Sequence, residues 1–356
     1  MNGVKNSTRS LDLLSRILLG DGAAAVRGTP QSPQDIEELR ALAHSHHVIL
    51  RSFPALQQAA VERNDTGLAD SIAHELEGQH ARIHLALSFL GRICAALGEA
   101  GKTIVIKSLD HWPDLGSDLD LFTDADPADV VAIMQRQFNA KLAERSWGDR
   151  LASKWNFIVP GLPELVEVHV QRLGQTGEQV ALAKSLVTRA RMREIEEHTF
   201  QVAAPEDRLM ISTLQRMYRH FYIRLCDIVD NAQLVDSGAV DYIYLKSLAQ
   251  SAGLWNGLAT YLVIVSDYVK LYRGEGLSLP ALVTSAARFG GDQVFFRRNF
   301  IRIPLLPHSA NLYASELGRL LLNGEIANTL RLSLLPGLAT AAAIEMQLTG
   351  SDKGIW

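Results

Sequence analysis

The sequence predicts an α+β protein: a small mixed β-sheet flanked by N-terminal and C-terminal helical modules. Three observations predict it. Helical periodicity dominates from Ser32 to Gly98, with no strand-like run. Between Gly101 and about residue 172, short β-branched or alternating segments are separated by turn residues. From Pro205 the pattern is helical again and stays so to the C-terminus. The expected modules are residues 1–100, 101–175 and 176–356.

Each element has a local reason. Residues 1 to about 30 place small and polar residues around one short apolar patch, and are expected to be a mobile lead-in with at most a short helix. Ser32, Pro33 and Asp35 supply an N-cap, a first-turn proline and a capping-box acid ahead of "IEELRALAHSHHVIL". A second helix is expected at 54–63, closed by "RNDTG", and a longer one from Leu68 to Gly98. "KTIVIK" is short and β-branched, so it predicts a strand. In the next strand, "DLDLF", a period of two puts Asp118 and Asp120 on one face and Leu119 and Leu121 on the other. Asp126 can cap, and Pro127 can open, the helix that follows. "KWNFIVP" and "LVEVHV" are two further strands across a "GLPE" turn, whereas "TGEQVALAKSLVTRARMREIEEHTFQV" fits either a helix or a return strand. Pro205 and Glu206 open the last helical region.

Composition narrows the class. Of 356 residues, 47% are apolar and 21% charged, the balance of a soluble globular chain. A formal charge of -4 argues against a broad electrostatic footprint for duplex nucleic acid. Cys94 and Cys226 both sit in apolar surroundings, which suggests a reducing compartment. The apolar stretch from Leu11 is broken by Asp12 and Arg16, so no export signal is expected. The run from Leu332 to Ile344 is too short for a bilayer and contains Pro336 and Gly337. The expectation is a cytoplasmic protein without a membrane span.

The chemistry is concentrated in "GSDLDLF". Two aspartates on one strand face repel each other unless a cation lies between them, and turn chemistry is the plainer alternative. In "LVEVHV" the three valines face one way, leaving Glu167 and His169 on the other. If the two strands are neighbours, Glu167 joins Asp118 and Asp120 around a point suited to Mg²⁺, a hard cation that prefers oxygen.

These residues resemble the polymerase-beta-type nucleotidyltransferase superfamily. Its pattern is a small loop, commonly glycine followed by glycine or serine, then nine to thirteen residues, then D-h-D-h with h apolar, and a later acid. Here Ser108 is followed by Leu109 to Ser117 and then "DLDL", with Lys107 standing where glycine is usual. The order of "HARIHLALSFLGRICAALGEAGKTIVIKS", "SDLDLF", "VEVH", "PEDRLM" and "RHFYIRLCDIVD", over about residues 70–235, is similar to an uncharacterised bacterial nucleotidyltransferase family. The resemblance implies a two-metal Mg²⁺ site, with Mn²⁺ able to substitute, and transfer of a nucleoside monophosphate, AMP in the expected case, from an NTP. By this resemblance Asp118, Asp120 and Glu167 hold metal, and Glu167 also accepts the acceptor's proton. Lys107, Ser108 and Ser117 would meet the nucleotide phosphates, and Arg219, His220 and Arg224 would bind phosphate or acceptor. A small-molecule acceptor is expected ahead of protein or tRNA. The alternative is an inactive nucleotidyltransferase-like binding or assembly module.

Other polar groups have simpler readings. Asp110 and Asp114 are expected to be turn acids. His44, His46 and His47, and likewise His74, Glu77, His80 and His84, are expected on solvated helix faces. "FFRRNFIRIP" is expected to pack between modules with its arginines exposed, and His169 to hydrogen-bond a neighbouring strand.

Overall fold

The computed structural model describes residues 2–22, 32–297 and 299–337. Four helices come first: α1 (Asn2–Leu19), α2 (Pro33–Ser45), α3 (Ile49–Glu62) and α4 (Thr66–Gly98). The Ser32–Asp35 capping box forms as expected. Residues 23–31 of the expected lead-in lie outside the described residues, and its first part is instead the 18-residue helix α1. Its Leu11, Leu14 and Ile17 are buried, and Ser15 Oγ lies 2.8 Å from Tyr268 Oη, so contacts distant in sequence hold it. The helix expected at 54–63 starts earlier, because a positive φ of 52° at His47 separates α2 from α3.

A seven-stranded mixed sheet follows, built from β1 (Thr103–Val105), β2 (Asp118–Thr123), β3 (Lys141–Leu142), β4 (Lys154–Ile158), β5 (Leu165–Val170), β6 (Arg191–Ile195) and β7 (His198–Val202). Its order is β3-β4-β5-β2-β1-β7-β6. Helices α5 (Pro127–Phe138) and α6 (Val180–Arg189) interrupt the strands. The ambiguous stretch is thus both things, a helix and then a hairpin. Because β7 pairs parallel with β1, the sheet runs past the expected boundary at 175 to Val202.

Alternation along the strands divides two cores. Leu119 and Leu121 of β2 and Val166, Val168 and Val170 of β5 pack with Leu87, Leu90 and Ile93 of α4 and with Val130 and Met134 of α5. Ile104, Ile106 and Phe122 face the other way, into a core shared with the later helices. These are α7 (Pro205–Thr213), α8 (Leu225–Asp236), α9 (Tyr242–Ser251), α10 (Trp255–Arg273), α11 (Ala310–Leu322) and α12 (Ile326–Ser333). By length and composition α4 could cross a membrane, yet its apolar stripe already covers the sheet. The apolar run from Leu332 passes beyond the described residues at 337.

A π-helical turn (Leu214–His220) continues α7, and Phe221 in the left-handed region ends it. The chain then enters β8 (Tyr222–Ile223), which joins β9 (Phe295–Arg297) and β10 (Phe300–Arg302) in a small second sheet. The aromatic-basic segment packs through Ile301 and Ile303; Arg297 is exposed as expected, Arg302 is half-buried, and Arg298 lies outside the described residues.

Candidate functional site

The β2–β5 ladder sets the site. The strands are parallel, and Asp120 is the direct partner of Glu167. Both side chains therefore project from the same face, with Asp118 one step before and His169 one step after. The cleft above them is closed by the π-helical turn. All nine residues expected from the sequence line it: Lys107, Ser108, Ser117, Asp118, Asp120, Glu167, Arg219, His220 and Arg224. Its free volume is about 150 Å³.

The loop before the aspartates is a γ-turn. Lys107 has φ 63° and ψ −56°, and the Ser108 N–H donates to Ile106 O at 2.7 Å. The superfamily pattern has glycine at this position, which the positive φ would suit, whereas the narrower bacterial family resemblance expects lysine here and glycine where Ser108 stands. The turn brings Lys107 Nζ onto Asp120 Oδ1 as an ion pair. Ser108 departs from its expected role. Its Oγ accepts from Asp120 N at 2.7 Å and donates to Asp118 O at 3.2 Å, and its N–H is held in the turn. With both donors engaged, Ser108 ties the loop to β2 and has none left for a phosphate.

Lys154, on β4, was not anticipated. Its Nζ lies 3.0 Å from Glu167 Oε1 and 2.9 Å from Asp149 Oδ1, and the residue is buried. A lysine in "KWNFIVP" looks solvent-facing in isolation, and only its pairing opposite His169 directs it to the acids. The two acids titrate as a pair with divergent tendencies. Burial raises Asp120 to about 7 against the opposing charge of Lys107. Burial acts to raise Glu167 too, but Lys154 and Lys107 outweigh it and hold the carboxyl at about 2. That is the reverse of what a proton-accepting Glu167 requires. Burial, then the charge of Glu167, raises Asp118. Asp118 lies at the rim, where Ser117 Oγ donates to its Oδ2 at 3.1 Å.

His169 is 5% exposed, and neither ring nitrogen has a hydrogen-bond partner. The expected bond to a neighbouring strand is therefore not made. Burial, then Lys107 and Lys154, drive its pKa well down, so the ring is neutral. Ligand atoms of Asp120, Glu167 and His169 all lie within 4.8 Å of one another. Among the described residues Asp118 is outside that convergence.

The opposite wall is cationic. Arg216 is fully buried and ion-paired with Asp227, Nε to Oδ2 2.7 Å, and Arg219 Nε is buried without a hydrogen-bond partner. Arg224 lies over the Tyr222 ring, 5.6 Å from its centroid. Burial, then Arg219, Arg216 and Arg224, push His220 well down. Sequence reasoning also missed His47 and His111, which stack with ring centroids 5.9 Å apart. His46 is fully buried, accepting from Leu225 N at the start of α8, and the half-buried His47 lines the cleft, so neither takes the solvated helix face expected of it. His74, Glu77, His80 and His84 are exposed as expected.

Asp110 and Asp114 do more than shape a turn. Asp114 accepts from Leu50 N and Arg51 N, capping α3 from a distant segment, and Asp110 pairs with Arg208 at 2.6 Å. Comparison of the chain with family models, with curated proteins and with solved structures finds no match.

Proposed function

We propose that the protein is a metal-dependent nucleotidyltransferase that moves a nucleoside monophosphate, AMP from ATP in the leading case, to an acceptor hydroxyl or phosphate. One observation carries this reading: three carboxylates on adjoining parallel strands share one cleft with Lys107 and Lys154 beside them and Arg216, Arg219 and Arg224 on its other wall, in a chain whose formal charge is -4. Such a cleft suits a cation and a polyanion together.

The donor set fits Mg²⁺, since Asp118, Asp120 and Glu167 offer hard oxygens and the two deeper acids already face ammonium groups. When bound, Mg²⁺ would neutralise charge on the reacting phosphate and the pyrophosphate leaving group. Arg219, with Lys107, would orient the triphosphate. Glu167, anchored by Lys154, would hold its place as a ligand, and the acceptor's proton would pass to Asp120. A hollow of about 520 Å³ adjoins the cleft at His220, with Phe221, Arg297 and Arg302 on its walls, and offers an acceptor side. The modest room in the cleft supports a small acceptor ahead of tRNA or protein.

The ion pairs Lys107–Asp120 and Lys154–Glu167 also favour one alternative, a module that binds nucleotide without transferring it. The deciding experiment is titration of the four NTPs with and without Mg²⁺, alongside release of labelled pyrophosphate from γ-labelled NTP in cell extract. Wild type and Asp118→Asn/Asp120→Asn are compared. Metal-dependent binding and release, both lost in the double variant, are expected. Metal-independent binding without release would establish the binding module, and no binding would overturn both readings.

A further inference from the structure

A buried imidazole normally has at least one hydrogen-bond partner, because water is replaced on folding by protein donors and acceptors. His169 has none on either nitrogen, at 5% exposure. Its ring sits beside Asp120 and Glu167, and it also faces a small cavity of about 50 Å³ that shares Lys107, Gln215 and Arg219 with the main cleft. An unpartnered ring nitrogen within 4.8 Å of two carboxylate oxygens lacks a purpose in a site made only for hard oxygen donors.

We propose that His169 is a direct ligand of the bound cation, so that Asp120, Glu167 and His169 form a mixed nitrogen and oxygen site that selects a first-row transition ion over Mg²⁺. This rests on the reading of the carboxylates as a cation site and revises it at the deeper position, where His169 joins the ligand set and a transition ion takes the place of Mg²⁺. The three donor atoms lie within 4.8 Å of one another. Donors on one ion are separated by at most about 4.4 Å, twice a bond of ~2.2 Å, so small side-chain shifts close the set. Lys154 can release Glu167 without being left alone, since Asp149 holds its other side at 2.9 Å. Imidazole nitrogen raises affinity for transition ions, whereas Mg²⁺ gains little from it. Asp118, outside the convergence, remains for a second, oxygen-only position.

Mn²⁺ alone is the probe. Pulsed electron paramagnetic resonance of the Mn²⁺-loaded wild type should show nitrogen modulation from a directly bound imidazole, changing when the histidines carry ¹⁵N. His169→Gln should remove the modulation and lower the Mn²⁺ to Mg²⁺ affinity ratio by about tenfold or more. Asp120→Asn should abolish binding at the same position. The ¹⁵N labelling needs no variant, so a poorly folding His169→Gln leaves the test intact. Mn²⁺ bound without nitrogen modulation, and lost in Asp120→Asn, would overturn the histidine ligand while leaving the cation site standing. No Mn²⁺ or Mg²⁺ binding by the wild type would overturn both.

Discussion

At Lys107 two demands meet in one residue. The backbone there has φ 63°, a conformation that costs a non-glycine residue about 1–3 kcal/mol, yet the side chain is the counterion of Asp120. Two substitutions separate these demands. Lys107→Met keeps the backbone cost and removes the charge, while Lys107→Gly removes both. Lys107→Gly should therefore be the more stable by about 1 kcal/mol in urea denaturation, after allowing for the greater chain entropy of glycine. Equal stabilities would mean that the turn stores no strain. The same residue marks the limit of sequence reasoning. The alternation in "DLDLF" disclosed Asp118 and Asp120, and "LVEVHV" disclosed Glu167, because a period of two is visible locally. Lys154, His47 and the isolation of His169 depend on pairings between distant segments, which no local pattern encodes.

Among elements, the π-helical turn (Leu214–His220) positions Arg216, Arg219 and His220, and α10 (Trp255–Arg273) supports it from behind. The contact is close. A Cβ on Gly257 would lie 2.2 Å from Tyr218 Oη and 2.7 Å from its ring, and Tyr218 is itself buried within the turn. Gly257→Ala should displace the turn, lowering stability by about 1–3 kcal/mol through overpacking. It should also weaken pyrophosphate binding, although residue 257 does not line the cleft. Calorimetric titration of the variant at a temperature where it is folded checks this, and unchanged affinity would show that the arginines do not depend on Tyr218. A π-helical turn widens the spacing of side chains along the axis, so its periodicity merges with that of an ordinary helix in the sequence. Helix α1 escaped notice for another reason: its stripe of Leu11, Leu14 and Ile17 is short, and its partners lie in α2, α3 and α10.

Across the whole molecule, the C-terminal helices dock on the sheet region through a buried carboxyl. Glu316 of α11 (Ala310–Leu322) is fully buried, and its Oε1 accepts from Gln179 Nε2 at 2.6 Å. Burial, then the charge of Glu178, raises its pKa well above the ordinary value. The folded state thus keeps the proton while the unfolded chain releases it above about pH 4.5. Stability from this group is fully present below that pH and falls as pH rises toward the folded pKa, by up to about 1.4 kcal/mol per pH unit. Glu316→Gln keeps the acceptor and removes the titration. Its Tm should exceed that of wild type at pH 8, and the gap should close toward pH 4.5. A pH-independent gap would place the effect elsewhere.

The paired ammonium groups of Lys107 and Lys154 have a consequence for how such a protein comes into being. Each of the two deepest acids meets a cation supplied by the chain itself. The crowded end of the sheet can therefore close on the ribosome's timetable rather than on that of metal supply. On the proposed reading, uptake of an ion would be an exchange, one positive charge arriving as another swings aside, and removal of that ion would return the protein to a folded, self-neutralised resting form.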